Sequence, residues 1–196
     1  MAPSAVAPDG DATGPESALI RPVLRAVAGI DAGGVVLIDG PSGAGKSSLA
    51  DALLHRWPGS VPPTLVRLDD IYPGWGGLEA AVEQVRTQVL QPRREGRPAA
   101  WQRYDWARQQ PAEWIGIDPA HPLIIEGCGA LAAEHAALSD VRVWIGADDA
   151  LRKKRALDRD GALFSPHWDQ WQQDWAAYLL RHAPEQTATV RLRAGD

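Results

Sequence analysis

The chain has 196 residues, which suits one domain of ordinary size around a single hydrophobic core, and its 45% apolar and 23% charged residues exclude a disordered or fibrous polymer. Its 20 Lys plus Arg against 25 Asp plus Glu give a net charge of −5, which argues against a general nucleic-acid-binding surface. The lone cysteine, Cys128, excludes an intrachain disulfide and a Cys-based zinc site and suits the reducing cytoplasm, while the absence of a long apolar run or a signal-peptide start argues against membrane insertion and secretion.

Residues Met1 to about Pro15 are Ala, Pro, Gly, Asp and Ser with little to bury, and read as a mobile tail; the remainder, 16–196, reads as one domain. Ile20, Val23, Leu24 and Val27 recur at helical spacing and predict a helix over Glu16–Ala28 that Gly29 and Gly33-Gly34 end. Val35 to Ile38 is a short β-branched run with no polar break, as in a strand buried on both faces. Leu49, Ala50, Leu53, Leu54 and Trp57 mark the next helix, which stops at Pro58-Gly59. A strand follows at Thr64–Leu68, then a helix from about Gly77 to Gln91, then an exposed polar connection to Pro98. Leu123–Ile125 and Val141–Ile145 predict two more strands with a short alanine-rich helix between them. Helices are expected over Asp148–Asp160 and Pro166–His182, with a closing strand at Thr187–Leu192. Strands alternating with helices predict an α/β fold, a parallel sheet covered by helices on both faces. Ligands of such sheets bind at the carboxyl ends of the strands.

Directly after Val35–Ile38 and before a helix stands Gly40-Pro41-Ser42-Gly43-Ala44-Gly45-Lys46-Ser47, a full match to GxxxxGK[ST], followed by Ser48. Wrapping a β-phosphate in backbone N–H groups needs glycine where a Cβ would block approach, and Gly40, Gly43 and Gly45 meet that need. Lys46 is placed to bridge the β- and γ-phosphates, and the Ser47 hydroxyl to ligate Mg²⁺. ATP and Mg²⁺ are the expected cofactors, and the loop identifies the chain as a P-loop NTPase.

Carboxylates close two of the other strands. Asp69 and Asp70, with Tyr72, follow the second strand, where an acid can accept the proton of an attacking hydroxyl or help organise Mg²⁺. A solvated turn or a helix cap would use the same residues. Glu126 closes Leu123–Ile125, as expected of an acid that holds Mg²⁺ directly or through water.

With GPSGAGKS, LDDIY, Tyr104-Asp105-Trp106 before IIEG, and RKKRALDRD at Arg152–Asp160, the chain resembles the P-loop kinases of the uridine kinase family from Val35 to Asp160. The resemblance implies a nucleoside/nucleotide-kinase-like fold and transfer of the γ-phosphate of ATP to a hydroxyl of a small-molecule acceptor. It implies Asp69 as general base and Tyr72, Tyr104 and Asp105 as acceptor contacts. Glu126 becomes an Mg²⁺-organising acid, alongside Ser47 and Asp69. Arg155 and Arg159 become the charge-stabilising pair of a short lid near 150–162, spaced i, i+4 so that both project toward the phosphates.

The family histidine that follows the YD-aromatic motif is absent here, with Ala107, Arg108, Gln109 and Gln110 in its place, and Gly74-Trp75-Gly76-Gly77 replaces an acidic ribose-binding segment. Arg103 and Arg108 flank Tyr104 and could favour an acceptor that already carries negative charge; solvated surface arginines are the alternative. Trp168, Trp171 and Trp175 share one helix face and predict core packing, whereas Trp75, Trp101, Trp106 and Trp114 fall in loop-like sequence beside the acceptor segments. Cys128 has no paired histidine and is given no role. The competing functional class is a P-loop nucleotide switch acting on a protein partner, for which the chain shows no long partner-binding insertion.

Overall fold

The computed structural model describes residues 15–195, so the tail read at the N-terminus lies outside the described residues except for Pro15, which opens the first helix. In chain order the elements are α1 (Pro15–Val27), β1 (Val35–Asp39), α2 (Lys46–His55), β2 (Thr64–Arg67), α3 (Leu78–Gln84), α4 (Gln91–Arg94), β3 (Ala99–Asp105), β4 (Gln110–Ile117), β5 (Leu123–Glu126), β6 (Val141–Gly146), α5 (Asp149–Phe164), α6 (Trp168–His182), α7 (Pro184–Thr187) and β7 (Val190–Arg193). Five strands form one parallel sheet in the order β2-β5-β1-β6-β7. β1 lies at its centre, which is why Val35–Ile38 reads as unbroken apolar sequence.

Alternation along β1 and β5 splits the core. Val35 and Leu37 of β1, with Leu123 and Ile125 of β5, bury against α3, the β3-β4 pair and α6. Val36, Ile38 and Ile124 face the other way, onto α1 and α2 through Ile20, Val23, Val27, Leu49 and Leu53. The fold is thus the expected α/β sandwich, with helices on both faces. No helix among the described residues is long and apolar enough to cross a membrane.

Four local expectations are corrected or refined. The helix from Gly77 to Gln91 is α-helical only to Gln84, widens into a π-turn over Val85–Leu90, and tightens again as α4, which takes part of the supposed exposed connection and buries Pro92. The short alanine-rich helix expected between β5 and β6 is present as a 3₁₀ helix, Ala133–Leu138. Thr187 ends a short helix, so the closing strand starts at Val190. The largest correction is the antiparallel pair β3-β4, which stands apart from the main sheet. β3 is buried to half-buried and β4 mostly exposed, with polar residues on the solvent side, so no apolar run betrays them. Trp101 and Trp114 therefore lie in strands: Trp101 is buried in the core, and Trp114 is 53% exposed. The stripe of Trp168, Trp171 and Trp175 is buried, as its spacing predicts.

α5 is capped by Asp148, whose carboxylate accepts from the N–H groups of Ala150 and Leu151. It extends past Asp160 and is broken at Gly161, whose φ of 51° and ψ of −130° are not helical. That break turns Phe164 and the following 3₁₀ turn, Ser165–His167, back over the carboxyl end of the sheet.

Candidate active site

The loop from β1 to α2 curls over the carboxyl end of the central strand. Gly40 and Gly43 have φ of 150° and 80°, and a Cβ would collide with the carbonyl oxygen of Ile145 at the first and of Arg152 at the second. Only glycine lets the loop pack this tightly against those two carbonyls. Gly45, in the left-handed region, caps α2. Ala44 is buried, Ser48 is exposed on the first turn of α2, and the Ser42 hydroxyl accepts a hydrogen bond from Trp171 Nε1 at 2.9 Å. Lys46 folds back over the loop, its Nζ 3.1 Å from the Pro41 carbonyl oxygen and 3.5 Å from Cys128 Sγ. Burial works to lower the pKa of this ammonium, but Cys128, Glu126, Asp39 and Asp69 around it raise it overall. The charged form of Lys46 is thereby favoured.

The acids converge from neighbouring strand ends. Asp69 lies in the 3₁₀ turn after β2 and lines the same cavity as Ser42 and Ser47. Asp70 is turned out of it; burial and the Asp69 charge raise its pKa. Glu126 is 2% exposed at the end of β5 and pairs with Arg67 at 3.1 Å, which in turn pairs with Asp51 at 2.6 Å. Burial pushes the Glu126 carboxyl up and Asp69 adds to the rise, while Lys46, Ser47 and Arg67 hold it back.

Ser47, Glu126 and Asp69 thus supply one hydroxyl and two carboxylates that crowd each other electrostatically, a donor set that fits Mg²⁺. Among the described residues no three His, Cys, Asp or Glu side chains group as a self-sufficient metal cage. Mg²⁺ does not require one, because it keeps waters and phosphate oxygens in its shell and takes only one or two protein carboxylates.

Beyond the cradle opens a cavity of about 1270 Å³. Asp69 and Tyr72 form its inner wall; Tyr104, Trp106 and Gln109 come from β3 and the hairpin tip; Arg159, Phe164 and His167 come from α5 and the turn after it. Trp75 stacks on Phe164 and His167, with ring centroids 5.2 and 4.7 Å apart, and meets Trp106 at 4.9 Å. The indole N–H of Trp106 donates to the main-chain oxygen of Asp69 at 2.8 Å, tying the hairpin to the β2 end. The Tyr72 hydroxyl donates to the Cys128 carbonyl at 2.8 Å, and burial holds its pKa far above the usual range. Burial likewise raises the Cys128 thiol, which donates to the Gly40 carbonyl oxygen at 3.3 Å. The cysteine left without a role is therefore a polar contact of the cradle.

Several sequence-predicted residues stand elsewhere. Asp105 does not line the cavity; its carboxylate accepts from the N–H groups of Ala107 and Arg108, both at 3.0 Å, and so closes the hairpin tip. Arg108 is also outside, with its side chain 76% exposed and 3.6 Å from Asp105. Arg103 pairs with Glu113 across the hairpin at 2.7 Å. Both arginines are thus paired at the surface, outside the cavity.

Arg159 lines the cavity, bonded to Asp160, and lies in the field of Asp69 and Glu126. Arg155, one turn earlier, instead donates to the Gly195 carbonyl oxygen at 3.0 Å, so the two arginines do not converge. Sequence reading missed Gln109, Phe164 and His167 as wall residues, and Trp171 as a cradle contact, because their partners are remote in the chain. It also missed Asp39, although an acid closing an apolar strand is the signal that singled out Glu126.

No protein-family model matches the chain, and neither does any curated protein. Among solved structures, the chain is similar to one described as a possible uridine kinase from Bacillus stearothermophilus. They share 18% identity and a TM-score of 0.62, over 88% of this chain and 96% of that one. A gluconokinase from Sinorhizobium meliloti 1021 aligns at 15% identity and a TM-score of 0.44, over 85% and 86% of the two chains. With its parallel sheet and the phosphate cradle after the central strand, the chain has the fold of the uridine-kinase-like P-loop kinases.

Proposed function

We propose that the chain is an ATP-dependent kinase that moves the γ-phosphate to a hydroxyl of a small molecule. The observation that carries this reading is that the cradle residues Ser42 and Ser47 and the acid Asp69 line one cavity large enough for a metabolite. The cradle N–H groups and the α2 N-terminus bind the β-phosphate, and Lys46 swings from Pro41 to the β- and γ-oxygens. Ser47, with Glu126 and Asp69, would hold Mg²⁺, which neutralises charge on the phosphate oxygens when bound. Asp69 takes the proton of the acceptor hydroxyl as the oxygen attacks. Arg159, released from Asp160, stabilises the charge on the transferring group, with residues 150–162 acting as a lid in a single domain spanning 16–196. Trp75, Tyr104 and Trp106 hold the acceptor body.

The arginines expected to read an anion are engaged outside the cavity, which favours an acceptor with no negative charge. The buried free thiol beside Lys46 suits a reducing compartment such as the cytoplasm. The test is ADP formation from ATP and Mg²⁺ across a panel of nucleosides, nucleotides, sugars and vitamin-like alcohols. Acceptor-dependent ADP with an uncharged alcohol is the expected result. Hydrolysis that no small alcohol stimulates but a protein does would overturn the reading in favour of a nucleotide switch.

A further inference from the structure

Asp39 closes β1 immediately before the cradle, and its side chain is fully buried. Four donors reach it. Oδ1 accepts from the N–H groups of Gly40 at 2.7 Å and Gly129 at 3.2 Å, and Oδ2 from the N–H of Leu131 at 2.8 Å and the Tyr178 hydroxyl at 2.6 Å. A carboxylate has about four lone-pair sites, and here each is used. The donors come from three places: the first residue of the cradle, the segment just after Glu126, and α6. The same three places are stitched together again nearby, by the Cys128 thiol on the Gly40 carbonyl and by Trp171 of α6 on Ser42.

We propose that Asp39 is a positioning residue that sets the placement of the phosphate cradle relative to the segment carrying Glu126, so that metal and phosphates are held at once. The proposal rests on the nucleotide-binding half of the kinase reading. Glu126 cannot play its part unless its strand end stays in register with Ser47, and β1–β5 pairing alone stops at Ile38 and Glu126. Past those residues both chains leave the sheet through glycines with positive φ, Gly40 and Gly127, and Asp39 is the side chain that bonds to both departing segments. An apolar residue would leave four buried donors unsatisfied. Asparagine would accept on one atom and set its amide hydrogens against two donors. Burial raises the pKa of Asp39, an effect that Tyr178, Leu131, Lys46 and Gly40 oppose.

The test measures ATP affinity with and without Mg²⁺ by titration calorimetry, in the wild type, Asp39→Asn, Tyr178→Phe and Glu126→Gln, with thermal melts alongside. Asp39→Asn should cut the Mg²⁺ enhancement of affinity by about 10- to 100-fold, the usual effect of losing a group that orients metal ligands, and this loss should exceed any loss of metal-free affinity. Adding Asp39→Asn to Glu126→Gln should cost little further enhancement, because both act on one element. Tyr178→Phe, which removes one donor of four, should show a loss of about fivefold in the same quantity and serves if Asp39→Asn does not fold. A merely structural acid would lower the melting temperature and leave the enhancement intact. Unchanged enhancement in the folded variants, or losses that multiply with Glu126→Gln, overturns the proposal. A wild type that binds no ATP with Mg²⁺ refutes the kinase reading itself.

Discussion

Replacing Asp69 by Asn separates chemistry from architecture at this site. The substitution is isosteric, and the contact that ties the hairpin to this turn runs from Trp106 Nε1 to the main-chain oxygen of Asp69, so it survives. The charge of Asp69 raises the pKa of both Glu126 and Asp70, and its removal eases that repulsion. The attraction of Asp69 for Lys46 and Arg159 is lost at the same time, so stability should change little. Loss of a positioned base, by contrast, costs about 10²- to 10⁴-fold in turnover, or about 2.7–5.4 kcal/mol of transition-state stabilisation. Asp70 lies outside the cavity, so Asp70→Asn should leave turnover within about threefold. The assay is steady-state kcat and KM with an acceptor the wild type uses, together with ATP affinity and a thermal melt. A larger loss at Asp70, or near-wild-type turnover in folded Asp69→Asn, refutes the assignment of the base.

Lys46→Ala should abolish transfer in a protein that still folds, since the ammonium contributes charge and two polar contacts but little packing; wild-type kcat in this variant removes the cradle from the mechanism. Arg159→Lys keeps the charge but loses the planar fork, so kcat should fall more than ATP affinity, whereas Arg155→Lys should leave kcat nearly unchanged. Equal losses in the two variants would mean that α5 rotates on closure and presents both. Because burial raises the pKa of Glu126 in the fold, its protonated form is favoured there. The stability this contributes is complete below the ordinary carboxylate range and is lost as pH rises through the elevated value. Without metal, the melting temperature should decline over that interval, and the decline should be shallower in Glu126→Gln; identical slopes in the two proteins would contradict the burial argument.

Sequence alone determined what neighbouring residues decide between themselves. The cradle is eight consecutive residues whose glycines answer a local backbone demand, and the strands before it and before Glu126 are legible because a central parallel strand is apolar throughout. Asp69 and Glu126 could be picked out because any residue just past such a strand reaches the ligand edge. The β3-β4 hairpin was not legible: it packs one side only, and its pairing depends on a turn closed by Asp105 and on Gln109 at φ 53°. The helix containing Arg155 and Arg159 was legible from its spacing, but only the folded chain sent one guanidinium to Gly195 and left the other at the cavity. Likewise, Trp171 reads as core from its helical spacing, yet it spends its N–H on Ser42, which lies far away in the chain. Spacing along a helix or strand follows from bond geometry and shows in the sequence, whereas the partner of a buried donor is whatever the packed layers bring within 3 Å, and that is decided only when the whole chain has folded.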